Sequence, residues 1–138
     1  MKGAERFFDT NVLLYLLSGD QARADRAEEL LAGGGVVSVQ VLNEFVSVAM
    51  RKLAMTLPEV RDVLAAVRTV CSVEPLSVET HEHALALVER YRFSIYDASI
   101  LAAALRARCR TLYSEDMQHG QVIEERLRIR DPFAGGDS

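Results

Sequence analysis

Apolar residues recur along the chain in two alternating rhythms, short runs of a few residues and longer stretches with a helical repeat. Phe7 and Phe8 close a brief run that stops at Asp9-Thr10-Asn11, after which Val12, Leu13, Tyr15, Leu16 and Leu17 recur at helical spacing. This predicts strand, polar turn and helix. Ser18-Gly19-Asp20 breaks that helix, and Ala24, Ala27, Leu30 and Leu31 give the next one a single apolar stripe that ends at Gly33-Gly34-Gly35. Val36 to Val39 is rich in β-branched residues and short enough for a buried strand. Val41, Leu42, Phe45, Val46 and Ala49 then form a helical face running to about Lys52. Thr56-Leu57-Pro58-Glu59 has the T-x-x-E form of a capping box, with Pro in the first turn where its missing N–H costs nothing, and predicts a helix to about Val70. A strand around Val73, from Ser72 to Leu76, and a helix from Val78 to Tyr91 follow. Ser94-Ile95-Tyr96-Asp97 is a second capping-box candidate, opening an Ala-rich helix from Ile95 to Ala107. Strands are predicted at Thr111 to Tyr113 and Leu127 to Ile129, with a loop from Ser114 to Gly120 and a flexible tail over 132–138.

Strands that alternate with helices argue for an α/β fold, a three-layer α/β/α sandwich with a central, mainly parallel sheet. The 138 residues suit one domain, and the 49% hydrophobic content is normal for a folded protein. Sixteen Lys and Arg stand against 20 Asp and Glu, a net charge of −4 that does not advertise nucleic-acid binding; a local stripe of arginine still suffices to hold phosphate. Cys71 and Cys109 lack CxxC spacing and read as reduced core residues. His81, His83 and His119 lack zinc-site spacing and read as surface residues. The N-terminus turns acidic before a signal-length apolar run develops, and no segment reaches the ~18 apolar residues of a membrane span, so a cytoplasmic location is expected.

In sheets of this kind ligands bind in the crevice beyond the carboxyl ends of the strands, which directs attention to acids that follow strands. Asp9 follows Phe8 directly; its ordinary explanation is an N-cap for the helix at Val12. Glu44 lies among Leu42, Phe45 and Val46, where a solvated helical Glu is the plain alternative. Asp97 sits where an acid can reach back to the N-cap amide of Ser94, and Asp116 lies in the polar cluster Ser114-Glu115-Asp116, where a turn role is equally ordinary. Their convergence on one sheet edge changes the balance. Clustered carboxylates repel one another unless a cation neutralises them, and hard oxygen ligands suit Mg²⁺ or Mn²⁺.

FFDTNVLLY around Asp9, SVQVLNEF around Glu44, FSIYDASILAAAL around Asp97 and LYSEDMQHG around Asp116 together resemble the PIN-domain family, and more narrowly the VapC-type toxins of toxin–antitoxin pairs. The resemblance spans nearly the whole chain. It implies a metal-dependent endoribonuclease hydrolysing RNA phosphodiesters, with Asp9, Glu44, Asp97 and Asp116 as its acidic site, Mg²⁺ or Mn²⁺ held by Asp9, Asp97 and Asp116, and Thr10, Asn11 and Ser114 orienting carboxylates or water. Glu115 competes with Asp116 for the fourth position. A cognate antitoxin and a homodimer are also implied. Arginines flanking the Asp97 helix, Arg92, Arg106 and Arg108 foremost, are candidates for the RNA backbone.

Asp9-Thr10-Asn11-Val12 also partly resembles the haloacid-dehalogenase phosphatase motif, but that motif needs a second Asp where Asn11 stands. A receiver domain needs a Lys at the end of a late strand, and the lysines are Lys2 and Lys52. A non-enzymatic PIN-fold module binding metal or a basic peptide is the remaining alternative.

Overall fold

A computed structural model of the chain describes residues 5–134. In chain order they form β1 (Arg6–Phe8), α1 (Thr10–Tyr15), α2 (Gln21–Ala32), β2 (Gly35–Ser38), α3 (Val39–Lys52), α4 (Leu57–Val70), β3 (Cys71–Glu74), α5 (Val78–Tyr91), α6 (Ile95–Arg106), β4 (Thr111–Tyr113), β5 (Val122–Ile123) and β6 (Leu127–Arg130). The strands build one sheet in the order β3-β2-β1-β4-β6-β5, and every neighbouring pair is parallel except β5 with β6. The chain therefore adopts the α/β fold expected, a central and mostly parallel sheet flanked by helices.

β1 holds the middle because its side chains can be covered on both faces. Phe7 and Phe8 are consecutive, so they point to opposite faces, and both are fully buried. The chain runs outward from β1 to β2 and β3 on one side and returns to β4 on the other, which places the reversal of strand order between β1 and β4. That is where an open α/β sheet leaves a crevice at its carboxyl edge.

β2 approaches β1 closely. A Cβ added to Gly35 would lie 2.4 Å from Cε2 of Phe8 and 2.8 Å from the Arg6 carbonyl oxygen, so only glycine fits there. The Arg6 guanidinium in turn donates to the carbonyls of Gly34 (Nη2, 2.9 Å) and Leu30, tying β1 to the end of α2. α6 is buried along most of its length, from Ala98 and Ile100 to Leu105. Its alanines let it lie close to the sheet, and a helix apolar nearly all round belongs in a core.

Boundaries moved where caps compete with strands. Val39, expected to end a strand, opens α3, because the buried Ser38 hydroxyl accepts from the Val41 amide at 3.2 Å. β5 was not expected at all. It pairs with β6 across a turn in which Glu124 and Glu125 have φ of 51° and 59°. Two side chains of α5 pin that turn: His83 Nε2 lies 2.9 Å from Glu124 Oε2, and the Tyr91 hydroxyl accepts from the Glu124 amide at 2.8 Å. His83 is thus half-buried and paired, against its expected place on the surface, whereas His81 and His119 are exposed. Cys71 and Cys109 are both buried, as core residues would be. Pro132 and Phe133, the start of the expected tail, lie against α2 and α1: Arg26 Nε donates to the Pro132 carbonyl at 2.9 Å, and the Phe133 ring meets Tyr15 edge to face. The rest of that tail, 135–138, falls outside the described residues. Among the described residues no helix is long and apolar enough to cross a membrane.

Candidate active site

The pairing of β1 with β4 sets the first two site residues side by side. Phe8 is in register with Tyr113, so Asp9 and Ser114, the next residue of each strand, emerge together at the carboxyl edge. The Asp9 amide donates to the Tyr113 carbonyl at 3.0 Å, and the Ser114 amide donates to the Arg130 carbonyl at 2.9 Å, which extends the ladder past the strands. The Ser114 hydroxyl then donates to Asp9 Oδ2 at 2.7 Å, while Asp9 Oδ1 accepts from the Thr10 amide at 2.7 Å and caps α1. Both side chains are buried, Asp9 at 7% exposure and Ser114 at 0%.

Thr10 extends this core to α3. Its hydroxyl donates to Glu44 Oε1 at 2.7 Å, and Gln40, one helical turn before Glu44, reaches Glu44 Oε2 at 3.3 Å and the Tyr96 carbonyl at 3.2 Å. Gln40 therefore links α3 to the start of α6, where Asp97 lies. Nothing in the sequence marked Gln40 beyond its position four residues from an acid. Asn11 makes no comparable contribution: both polar atoms of its side chain are shielded and lack a hydrogen-bond partner among the described residues.

Asp97 and Asp116 complete the group. The Ser94 hydroxyl accepts from the Asp97 amide at 3.1 Å, but the reciprocal bond of a capping box is absent, so the Asp97 carboxylate is not spent on its own helix end. Thr56 and Glu59, by contrast, make both bonds of their box. Asp116 is exposed, and its amide donates to Ser114 Oγ at 3.3 Å. Among the described residues, the carboxylates of Asp97 and Asp116 accept no hydrogen bond.

Electrostatics show that the four acids share one field. Burial pushes the Asp9 carboxyl up to about 6; the Ser114 and Thr10 hydrogen bonds oppose that rise, and the charges of Asp116 and Glu44 add to it. Asp97 is also raised, first by burial and then by Asp116 and Glu44. Among the described residues no Arg, Lys or His forms an ion pair with any of the four. Among the described residues the crevice therefore concentrates negative charge without an ion-paired cation.

Glu115 faces a different set of partners. It accepts from the Tyr15 hydroxyl and, at 2.7 Å, from Arg23 Nη1, and although its burial acts the other way these bonds hold its carboxyl below the ordinary range. It is Asp116, not Glu115, whose charge reaches Asp9 and Asp97. The arginines named from sequence separate by position. Arg92 caps α5 two residues before Ser94, near the end of α6 that carries Asp97. Arg106 ends α6, roughly 14 Å further along at about 1.5 Å per residue, and Arg108 follows it, so neither is brought to the acids.

The donor set is one that a hard divalent cation prefers. All four groups are carboxylates, which suits Mg²⁺ or Mn²⁺. No group of three or more His, Cys, Asp or Glu among the described residues is arranged to hold an ion directly. Ligation through one or two carboxylates with waters completing the shell is the pattern Mg²⁺ prefers, so the residues fit such an ion in that form.

The PIN domain model matches residues 6–124, which includes all four acids. No curated protein matches the chain in sequence. Among solved structures, the chain is similar to VapC20 of Mycobacterium tuberculosis, described as a sarcin–ricin loop cleaving toxin, at 24% identity and a TM-score of 0.65, covering 80% of this chain and 89% of that one. A toxin–antitoxin complex from Klebsiella pneumoniae gives 24% identity and a TM-score of 0.70 over 93% of this chain and 98% of that one. VapBC2 of Rickettsia felis, bound to a DNA fragment from its promoter, gives 16% and 0.64 over 91% and 96%. Identities this low speak for the fold, whereas the family model reads the sequence over most of its length, and on that ground the chain belongs to the PIN-domain family.

Proposed function

We propose that this chain is a Mg²⁺- or Mn²⁺-dependent endoribonuclease, the toxin of a toxin–antitoxin pair. The observation that carries the reading is the convergence of Asp9, Glu44, Asp97 and Asp116 at the carboxyl edge, where burial first, and the charges of Asp116 and Glu44 after it, raise the Asp9 carboxyl to about 6. A cluster kept only as helix caps would not need four acids in one field. Asp9, Asp97 and Asp116 are assigned to the cation, one or two of them directly and the others through its waters, and Glu44, aligned by Thr10 and Gln40, to the attacking water. When bound, the ion supplies a Lewis acid for the phosphate charge and lowers the pKa of water. The protein's own part is positional. Ser114 and the Thr10 amide fix both oxygens of Asp9, so its carboxylate does not reorganise when substrate enters.

The nuclease reading is tested with purified wild type and an Asp97→Asn variant on single-stranded RNA in Mn²⁺. The variant should cleave at least about 100-fold more slowly. Equal degradation by the two would mean the activity is a contaminant or absent. Two protein partners belong to the same reading. An apolar groove of roughly 530 Å³ between α1, α2 and α4, lined by Leu16, Leu17, Leu31, Val63 and Val67, suits an amphipathic segment of an antitoxin. A second copy of the chain is assigned to the exposed apolar face of α5, where Val78 and Leu85 lie two turns apart at 71% and 44% exposure.

A further inference from the structure

Asp116 is the least supported of the four acids. It is exposed, its carboxylate accepts no hydrogen bond among the described residues, and its own visible tether is the 3.3 Å bond from its amide to Ser114 Oγ. The residue before it is held far more firmly. Glu115 Oε2 meets Arg23 Nη1 at 2.7 Å and Glu115 Oε1 accepts from the Tyr15 hydroxyl. The Arg23 guanidinium lies 4.8 Å from the centroids of both the Tyr15 and Phe133 rings, and those rings meet edge to face at 4.7 Å. Phe133 is itself anchored, since its amide donates to Asp131 Oδ1 at 2.8 Å and Arg26 Nε donates to the Pro132 carbonyl at 2.9 Å. Four parts of the chain thus meet around one carboxylate: α1, α2, the turn after β4 and the segment after β6.

An exposed ion pair alone contributes little. Here the guanidinium lies over two aromatic rings that themselves meet edge to face, which restricts it before the carboxylate arrives, and the Tyr15 hydroxyl adds a hydrogen bond to the charged acceptor. We propose that Tyr15, Arg23, Glu115 and Phe133 form a clasp that positions Asp116: by fixing residue 115 they set the backbone from which the Asp116 carboxylate faces Asp9 and Asp97. These four are positioning residues, and they extend the site's scaffold into the C-terminal segment. The catalytic consequence rests on the nuclease reading above; the positional one does not.

Three measurements on Glu115→Ala, Glu115→Gln and Phe133→Ala separate the two. Amide exchange without metal reads the clasp itself. Residues 115–117 should exchange about tenfold faster in Glu115→Ala and in Phe133→Ala, with β1 and β4 unchanged as the control for folding. Mn²⁺ affinity measured by calorimetry should fall about tenfold, and kcat on RNA about tenfold with KM within twofold, as for supports of a metal site elsewhere. Glu115→Gln keeps an acceptor for Tyr15 and should fall between these variants and wild type in all three. Exchange and Mn²⁺ affinity within twofold of wild type in Glu115→Ala would overturn the clasp. A wild type that takes up no Mn²⁺ and cuts no RNA would overturn the nuclease reading instead, and the exchange arm would still decide the clasp.

Discussion

Asp9 serves two purposes that sequence reading had set against each other. It caps α1 through the Thr10 amide, as an Asp after a strand commonly does, and it is also the most perturbed of the site carboxylates. The two roles use one oxygen each: Oδ1 takes the amide and Oδ2 takes the Ser114 hydroxyl. Two hydrogen bonds to the charged form do not offset burial, so the folded carboxyl titrates near 6 against an ordinary value of 3.8. The sign for stability follows. Below about pH 4 both folded and unfolded states hold the proton; between about 4 and 6 the unfolded state releases it first, so stability falls as pH rises, and above 6 the loss is complete. At about 1.4 kcal/mol per unit the penalty approaches 3 kcal/mol. Metal-free wild type should therefore gain stability between pH 7 and pH 5 relative to Asp9→Asn, with the two converging toward equal pH dependence once millimolar Mn²⁺ is added to wild type. Parallel pH curves for the two metal-free proteins would show that Asp9 titrates normally. From sequence, the acid at position 9 was legible as a candidate, but its perturbation depends on Phe8 pairing with Tyr113, a contact between residues more than 100 apart in the chain.

At the scale of elements, helix starts were readable because capping is local. Thr56 with Glu59 and Ser94 with Asp97 have the same T/S-x-x-acid pattern, yet only the first closes both bonds. The difference is geometric: the shorter Asp97 side chain leaves its carboxylate off the helix end and within reach of the charges of Asp116 and Glu44. Ser94→Ala should lower stability by about 1 kcal/mol, because the Asp97 amide loses its acceptor. Asp97→Asn should leave the metal-free melting temperature unchanged or raise it, because the carboxylate it removes is half-buried near the like charges of Asp116 and Glu44 and makes no cap. A melting temperature that drops in Asp97→Asn as much as in Ser94→Ala would assign Asp97 to the helix end after all. The hairpin of β5 and β6 shows where local reading fails. Val122 and Ile123 are too few for a periodic signal, and the turn carries Glu124 and Glu125 at positive φ in place of the Asn-Gly or Asp-Gly that announces such turns. His83 and Tyr91 hold that turn from α5, and no window of sequence contains both sides of the contact.

For the whole molecule, alternation of strands and helices was enough to indicate a parallel sheet, whereas strand order was not, since nothing local says that β4 rather than β2 completes the crevice with β1. The same limit applies to surfaces. Leu16, Leu17 and Leu31 read as apolar-face residues of separate helices, and only their assembly with α4 turns their outer edge into a groove; Leu85 reads as part of the apolar side of α5 with Ala84, Leu87 and Val88, yet it is exposed, because only Ala84 and Leu87 of that set are buried. The groove and the α5 face are different surfaces, so their occupants should be separable. Ala66 lines the groove and is exposed, and an Ala66→Glu variant places a charge where an apolar segment would dock without disturbing the core. Leu85→Glu does the same on α5. Wild type should sediment at about twice its 15.3 kDa chain mass. Leu85→Glu should sediment as a single chain and still bind the antitoxin that the proposed function calls for, while Ala66→Glu should remain paired and lose that antitoxin. If Leu85→Glu stays paired, the α5 face is not the contact between copies. If Ala66→Glu binds the antitoxin as tightly as wild type, the groove is not its seat, because a buried unpaired carboxylate at an apolar interface costs several kcal/mol and would be felt as a loss of at least about 100-fold in affinity.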